Sequence, residues 1–384
     1  MPGALSGIRV IERAAGPAAA FAGRLLAVCG ARVVMVEPPG GSPLRSEPPL
    51  VAVEPRISAL FAYLAAGKES AVCDLTVADG RAGLDEMLAN ADILIDDTPV
   101  ADREARGLDP ERVCTAFPTL IFVSVLPFGA AGPRANWRAG ELGCLHAGGE
   151  GYLMPNGLAN EIFPDRPPVK IYGEFASFQG GTAAATGAIA ALYARAVEGG
   201  QFLDISIQDA NVAESTVAIQ RWGDGILETR ETRAFRYGGV LECQGGYVEV
   251  LTLEQHQWQA LKSLVGEWEG LDLARLDDPL ERARHGAQIN QCLRDWAKRH
   301  PVDEVVRRGR ECGVPIAPYS SPQEILADPH ERERGLFTSV PIPGDGPRNM
   351  LLAPFQFSAT PTTLRSGPPS LAVAPESLAE AGNG

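Results

Sequence analysis

Apolar residues recur along the first third of the chain in two alternating rhythms. Ile8-Arg9-Val10-Ile11 is a short β-prone run. Over residues 17–29, Phe21, Leu25 and Val28 fall at helical spacing, and Gly30 supplies a C-terminal stop. Residues 31–36 are Val-rich and uncharged after Arg32, the pattern of a buried strand. The alternation continues with strands expected over 71–75, 92–95 and 120–125 and helices near 80–89 and 110–116. Strands alternating with helices across short links imply βαβ units, right-handed crossovers and a mostly parallel sheet.

A loop-rich stretch, 127–168, precedes a long Ala-rich helix expected around 176–196, which Gly199-Gly200 ends. A strand over 202–207 and a helix from 209 to about 226 lead into a polar link at 228–233, where a domain boundary is placed. The pattern then changes. A strand at 246–250 is followed by several helices, one over 301–312 with Val302, Val305 and Val306 on one face and Gly313 as its stop. After Ser339 short strands and turns are expected, and 368–384 reads as a loose tail. No internal repeat occurs.

The length of 384 residues suits two domains, or one large domain with an insertion. With 45% hydrophobic and 21% charged residues the chain reads as a globular protein. Its net charge of -14 argues against nucleic acid or a membrane surface as the main partner. The seven cysteines, Cys29, Cys73, Cys114, Cys144, Cys243, Cys292 and Cys312, are odd in number, scattered, and form no CxxC pair. No metal site or disulfide framework is therefore expected, and a reduced cytoplasm is the expected location. Glu12, Arg13 and Arg24 interrupt any signal-like apolar segment, and the longest apolar run, 181–194, is too short to span a bilayer.

The first strand-helix-strand unit ends at Glu37, where a dinucleotide-binding fold keeps its ribose-reading acid. The connecting loop is Ala14-Ala15-Gly16-Pro17, however, without the glycines of a phosphate cradle, and Glu37 has a capping or turn role as its alternative. His146 is the only histidine in the first 250 residues and has no second ligand at useful spacing, so packing or a loop role is expected of it. Neither a nucleophile elbow nor a Walker loop is present.

Taken in order, several segments resemble the class III CoA-transferases, the CaiB/BaiF family. They begin with Leu5-Ser6-Gly7-Ile8-Arg9-Val10-Ile11-Glu12, Gly16-Pro17, and Gly30-Ala31-Arg32 through Glu37-Pro38-Pro39-Gly40-Gly41. Gly67-Lys68-Glu69-Ser70 with Asp74-Leu75, Phe128-Gly129 and Gly132-Pro133 follow. Later come Ala190-Ala191-Leu192 with Arg195, Gly200-Gln201-Phe202-Leu203-Asp204-Ile205-Ser206, and Ser321 to Pro329 with Arg334-Gly335. Pro354 and Thr360-Pro361 close the series. The resemblance implies an α/β fold: a Rossmann-like parallel-sheet large domain, here 1–227, a smaller α+β domain, 228–335, and a segment 336–384 returning to the large domain. It also implies an interlocked dimer, and CoA and acyl-CoA as substrates rather than as permanently bound cofactors.

The implied reaction passes CoA from an acyl-CoA donor to a carboxylic acid through a carboxylate that forms an anhydride and then an enzyme-CoA thioester. The family's aspartate lies fifteen residues before the leucine of Ala-Ala-Leu and four before a glycine. Both counts land on Ser177. A serine ester lies below a thioester in transfer potential, so it cannot be recharged with CoA. The nearest carboxylate is Glu174, whose alternative is a helix-capping or solvated role. Glu141 matches a glutamate that transferases keep in the site, whereas the histidine of the racemase branch would fall near Gly140. The family's nucleotide-contacting Asn-Phe-Arg-Pro-Gly falls on Asp97-Thr98-Pro99-Val100-Ala101, which has lost the arginine. Arg45 and Lys68 remain as candidate phosphate contacts, each with a plain surface charge as its alternative. Three functions follow: a nucleophile-lacking subunit beside a paralogous catalytic chain, as in heteromeric transferases for benzylsuccinate-like acids; a self-sufficient enzyme using Glu174 or Glu141; or a non-catalytic binding protein.

Overall fold

The computed structural model describes residues 2–51, 56–154, 165–167, 169–214, 223, 225 and 237–372. It divides into two compact units, one formed by Met1–Glu150, Lys170–Ser215 and Pro329–Gly384, the other by Gly151–Val169 and Thr216–Asp328. The sequence reading puts its boundary at 228 and keeps 151–169 with the large domain. Beyond 214, all but residues 223 and 225 of the helix expected over 209–226 lie outside the described residues, as does the tail beyond 372.

The first unit is built on six strands: β1 (Arg9–Arg13), β2 (Arg32–Glu37), β3 (Glu69–Val72), β4 (Ile93–Asp96), β5 (Ile121–Leu126) and β6 (Phe202–Ser206). They pair in the order β3-β2-β1-β4-β5-β6, every pair parallel. This is the doubly wound order, and the direction of winding reverses between β1 and β4. Helices α1 (Pro17–Val28), α2 (Ala78–Leu88) and α3 (Pro110–Ala116) supply crossovers. The chain between β5 and β6 carries α4 (Glu141–Ala147) and the long α5 (Phe175–Glu198), and α6 (Ile207–Glu214) follows β6 at once.

The strands read as continuous apolar runs because both faces are covered; every residue of β5 is buried. Its one polar member, Ser124, accepts a hydrogen bond from Arg103 Nη2 at 2.6 Å. Small residues let α1 and α5 meet closely. A Cβ added at Gly181 would stand 2.5 Å from the carbonyl oxygen of Ala18, so α5 needs glycine at that turn. Segment 351–369 lies on the same unit: Arg24 donates to the Leu351 carbonyl at 2.6 Å, Gly67 N–H to Ser366, and Thr363 N–H to Val28.

The second unit has a three-stranded antiparallel sheet, β7 (Gly239–Cys243), β8 (Gly246–Val250) and β9 (Ile316–Pro318), with β8 in the middle. Helices α7 (Gln255–Val265), α8 (Gly286–Ala297) and α9 (Val302–Cys312) cover it, around a core that buries Trp258, Leu261, Leu293, Trp296 and Val305. No helix among the described residues is long and apolar enough to cross a membrane.

Candidate active site

In a doubly wound sheet the carboxyl ends of the strands flanking the reversal open a crevice. Here those ends are the loop after β1, carrying Ala14 to Gly16, and the loop after β4, carrying Asp97. The Asp97 carboxylate bridges them, accepting the backbone N–H groups of Ala15 at 2.8 Å and Gly16 at 2.7 Å. Gly16 is the N-cap of α1 and has no side chain to offer, and Asp97, just after β4, holds the two N–H groups that lead into the helix. These two N–H groups at the head of the crevice are thus taken up by the chain's own carboxylate.

A cavity of about 270 Å³ opens beside this bridge. Gly16 to Ala19 from the start of α1, Asp97, Val125 to Pro127 at the end of β5, and Ile207 at the start of α6 line one part of it. Trp137, Arg138, Glu141, Cys144, Glu174 and Ser177 line the rest. A more open groove of about 570 Å³ lies by Lys68 and Glu69, both already paired, and brings together no comparable group of reactive side chains.

Ser177 sits in the first turn of α5, buried, with its hydroxyl 2.9 Å from Glu141 Oε2 and 3.2 Å from Glu174 Oε2. Glu141 also accepts the backbone N–H groups of Ala176 at 2.8 Å and Ser177 at 2.9 Å, so this residue of α4 caps α5. Glu174 occupies the N-cap position but caps nothing with its side chain. The capping role open to it in the sequence is carried by Glu141 instead. One hydroxyl proton cannot serve two carboxylates, so Ser177 donates to one and accepts from the other only when that other is protonated. Burial, and then the charge of Glu141, push the Glu174 carboxyl above its ordinary range, with the Ser177 hydrogen bond opposing.

Asp97 is pushed up to about 6 by burial and then by neighbouring Asp96, against the two backbone N–H groups. Cys144 faces the cavity, but burial and then Glu141 push its thiol up to about 11, the opposite of an activated nucleophile. His146 is on the same short helix and is not among the described lining residues.

The expected phosphate contacts lie elsewhere. Lys68 Nζ is buried and donates to both oxygens of Glu12, at 2.8 and 2.6 Å, and to the Ala20 carbonyl at 2.8 Å. All three of its protons are used. Arg45 holds Glu37 by a two-bond fork, both distances 2.7 Å, and donates to the Pro369 carbonyl at 3.1 Å. Glu37 further accepts Ser42 N–H and the Ser70 hydroxyl. Burial alone would raise this carboxyl, but the bonds from Arg45, Ser70 and Ser42 hold it below its ordinary range. Glu37 closes a turn and is not presented to a ribose. Sequence reasoning met Asp97 only as the first residue of a segment that has lost its arginine; its bridge to Ala15 and Gly16 needs the strand order, which no local motif carries. No cluster of three or more His, Cys, Asp or Glu suited to a metal ion occurs among the described residues.

The chain as a whole is similar to known proteins. A "Probable CoA-transferase Rv1866" from Mycobacterium tuberculosis is 31% identical over 84% of this chain, which spans 40% of that relative's length. A "Succinyl-CoA--D-citramalate CoA-transferase" from Chloroflexus aurantiacus is 29% identical over 94% of this chain and 89% of its own. The crystal structure of a CAIB/BAIF family protein from Brucella suis superimposes with a TM-score of 0.84, at 26% identity and over 97% of both chains. The model of CoA-transferase family III matches residues 5–373. With nearly its whole length matched, the chain belongs to CoA-transferase family III.

Proposed function

We propose that this protein moves CoA from an acyl-CoA donor to a carboxylic acid and that Glu174 supplies the carboxylate for it. The carrying observation is the 3.2 Å contact between Glu174 and Ser177, the residue to which the motif counts assign the family's aspartate, both lining one cavity. A glutamate supports the same covalent route as an aspartate, one methylene further from the backbone. Its oxygen attacks the thioester carbonyl, giving a Glu174-acyl anhydride and releasing CoA thiolate. The thiolate then attacks the Glu174 carbonyl, leaving an enzyme-CoA thioester and the free donor acid. The acceptor carboxylate repeats the two steps in reverse. Glu141, held by three donors, fixes the α5 terminus and the Ser177 hydroxyl.

The test is CoA transfer by Glu174→Gln beside Ser177→Ala. Glu174→Gln is expected to lose more than about 10³-fold in rate, because the anhydride cannot form. Ser177→Ala is expected to keep measurable turnover. Equal loss in both, or none in Glu174→Gln, dismisses the reading.

A second reading is a nucleophile-lacking subunit of a heteromeric transferase, with a paralogous, catalytically complete chain as partner. Two points support it: the motif counts put Ser177 where the family has its aspartate, and the mycobacterial relative is more than twice as long as the stretch it shares with this chain. An interlocked dimer, of two such chains or of two copies of this one, buries an interface that neither ring can discard. Native mass spectrometry of the complex from its own cells separates a homodimer from a pairing with a second chain.

A further inference from the structure

The walls of the cavity speak to the acyl group it takes. Ala18, Val125, Leu126 and Ile207 make one side apolar. The charged groups on the described lining are Asp97, Glu141 and Glu174, with Arg138 the one cation, exposed to solvent. Water screens an exposed guanidinium far more than a carboxylate sunk between loops. The backbone donors that could have received a second substrate carboxylate, Ala15 and Gly16 at the α1 terminus, are occupied by Asp97. The same residue therefore removes a binding group and adds a like charge.

Resting on the transferase reading, we infer that the site takes CoA esters of monocarboxylic acids with apolar tails and rejects those whose acyl group carries a second carboxylate, Asp97 being the specificity-determining residue. Like charges a few ångströms apart in a partly desolvated site disfavour the charged ligand, and an unpaired buried carboxylate adds its own desolvation cost.

Butyryl-CoA and succinyl-CoA test this directly, because their acyl groups share a four-carbon chain and differ by a methyl against a carboxylate. Calorimetric titration of the purified protein, in whatever assembly it is isolated, is expected to show butyryl-CoA binding at least about tenfold more tightly. Asp97→Asn keeps an oxygen to accept the Ala15 and Gly16 N–H groups, and is expected to bring the ratio of the two dissociation constants toward one. Equal affinities in the native protein, or a ratio that Asp97→Asn leaves unmoved, overturn the inference while leaving CoA transfer standing. Failure of every CoA ester to bind overturns both.

Discussion

The Glu141 carboxylate holds Ser177 twice, accepting its backbone N–H at 2.9 Å and its hydroxyl at 2.9 Å. The helix carrying residue 177 is thereby tied to α4, which lines the same cavity. A serine fits this embrace well, since a carboxylate at 177 would face two others within hydrogen-bonding distance.

That tie has a stability consequence. Glu141→Ala removes the cap of α5 and is expected to cost about 1–2 kcal/mol, read as a lower urea midpoint at unchanged slope. Glu141→Gln retains an acceptor oxygen and should lose less. An unmoved midpoint in Glu141→Ala means the cap contributes nothing.

Lys68 and Glu12 form a pair buried at 3% and 1% exposure, and burial acts against both charges, raising the acid and lowering the amine. Breaking one side strands the other. Lys68→Met should therefore destabilise the protein by about 3–5 kcal/mol, and Glu12→Gln added to it should recover part of the loss. A Lys68→Met protein of normal stability with weakened CoA affinity would instead return Lys68 to phosphate binding.

Asp97 gives a pH signature. Its pKa lies above the unfolded value of 3.8, at about 6, so the folded state binds the proton more tightly. This contribution to stability is fully present below about pH 4 and is lost as pH rises through about 6. Around it stand Asp96 and Glu12, which oppose its charge, and Arg13 and Arg103, which favour it. Asp97→Asn should flatten the stability profile between those limits; an unchanged profile would remove Asp97 as its source.

Thiol labelling checks the cavity wall. Cys312 is exposed and Cys144 is buried with a raised pKa, so iodoacetamide at mild alkaline pH should modify Cys312 and spare Cys144 until the protein unfolds. Rapid native labelling of Cys144 would mean that the wall opens.

The parallel sheet was legible from the chain because its strands are apolar runs bounded by turn residues, as at 31–36 between Gly30 and Pro38, and such patterns are local. Ser177 and Glu174 were legible as neighbours for the same reason. What escaped were the long-range pairings. Lys68 and Glu12 stand 56 residues apart and Glu141 and Ser177 36, distances at which periodicity carries no signal. Glu37 and Arg45 are close in sequence, yet only the fold shows the guanidinium forked onto Glu37 and closing the turn.

The most direct measurement is peptide mass spectrometry after brief incubation with an acyl-CoA and acid quenching. The account predicts CoA joined, with loss of water, to the peptide that contains Glu174, in the native protein and in Ser177→Ala but not in Glu174→Gln. No adduct on this chain, with CoA found instead on a second chain of the purified complex, would contradict it and leave this protein as the supporting subunit.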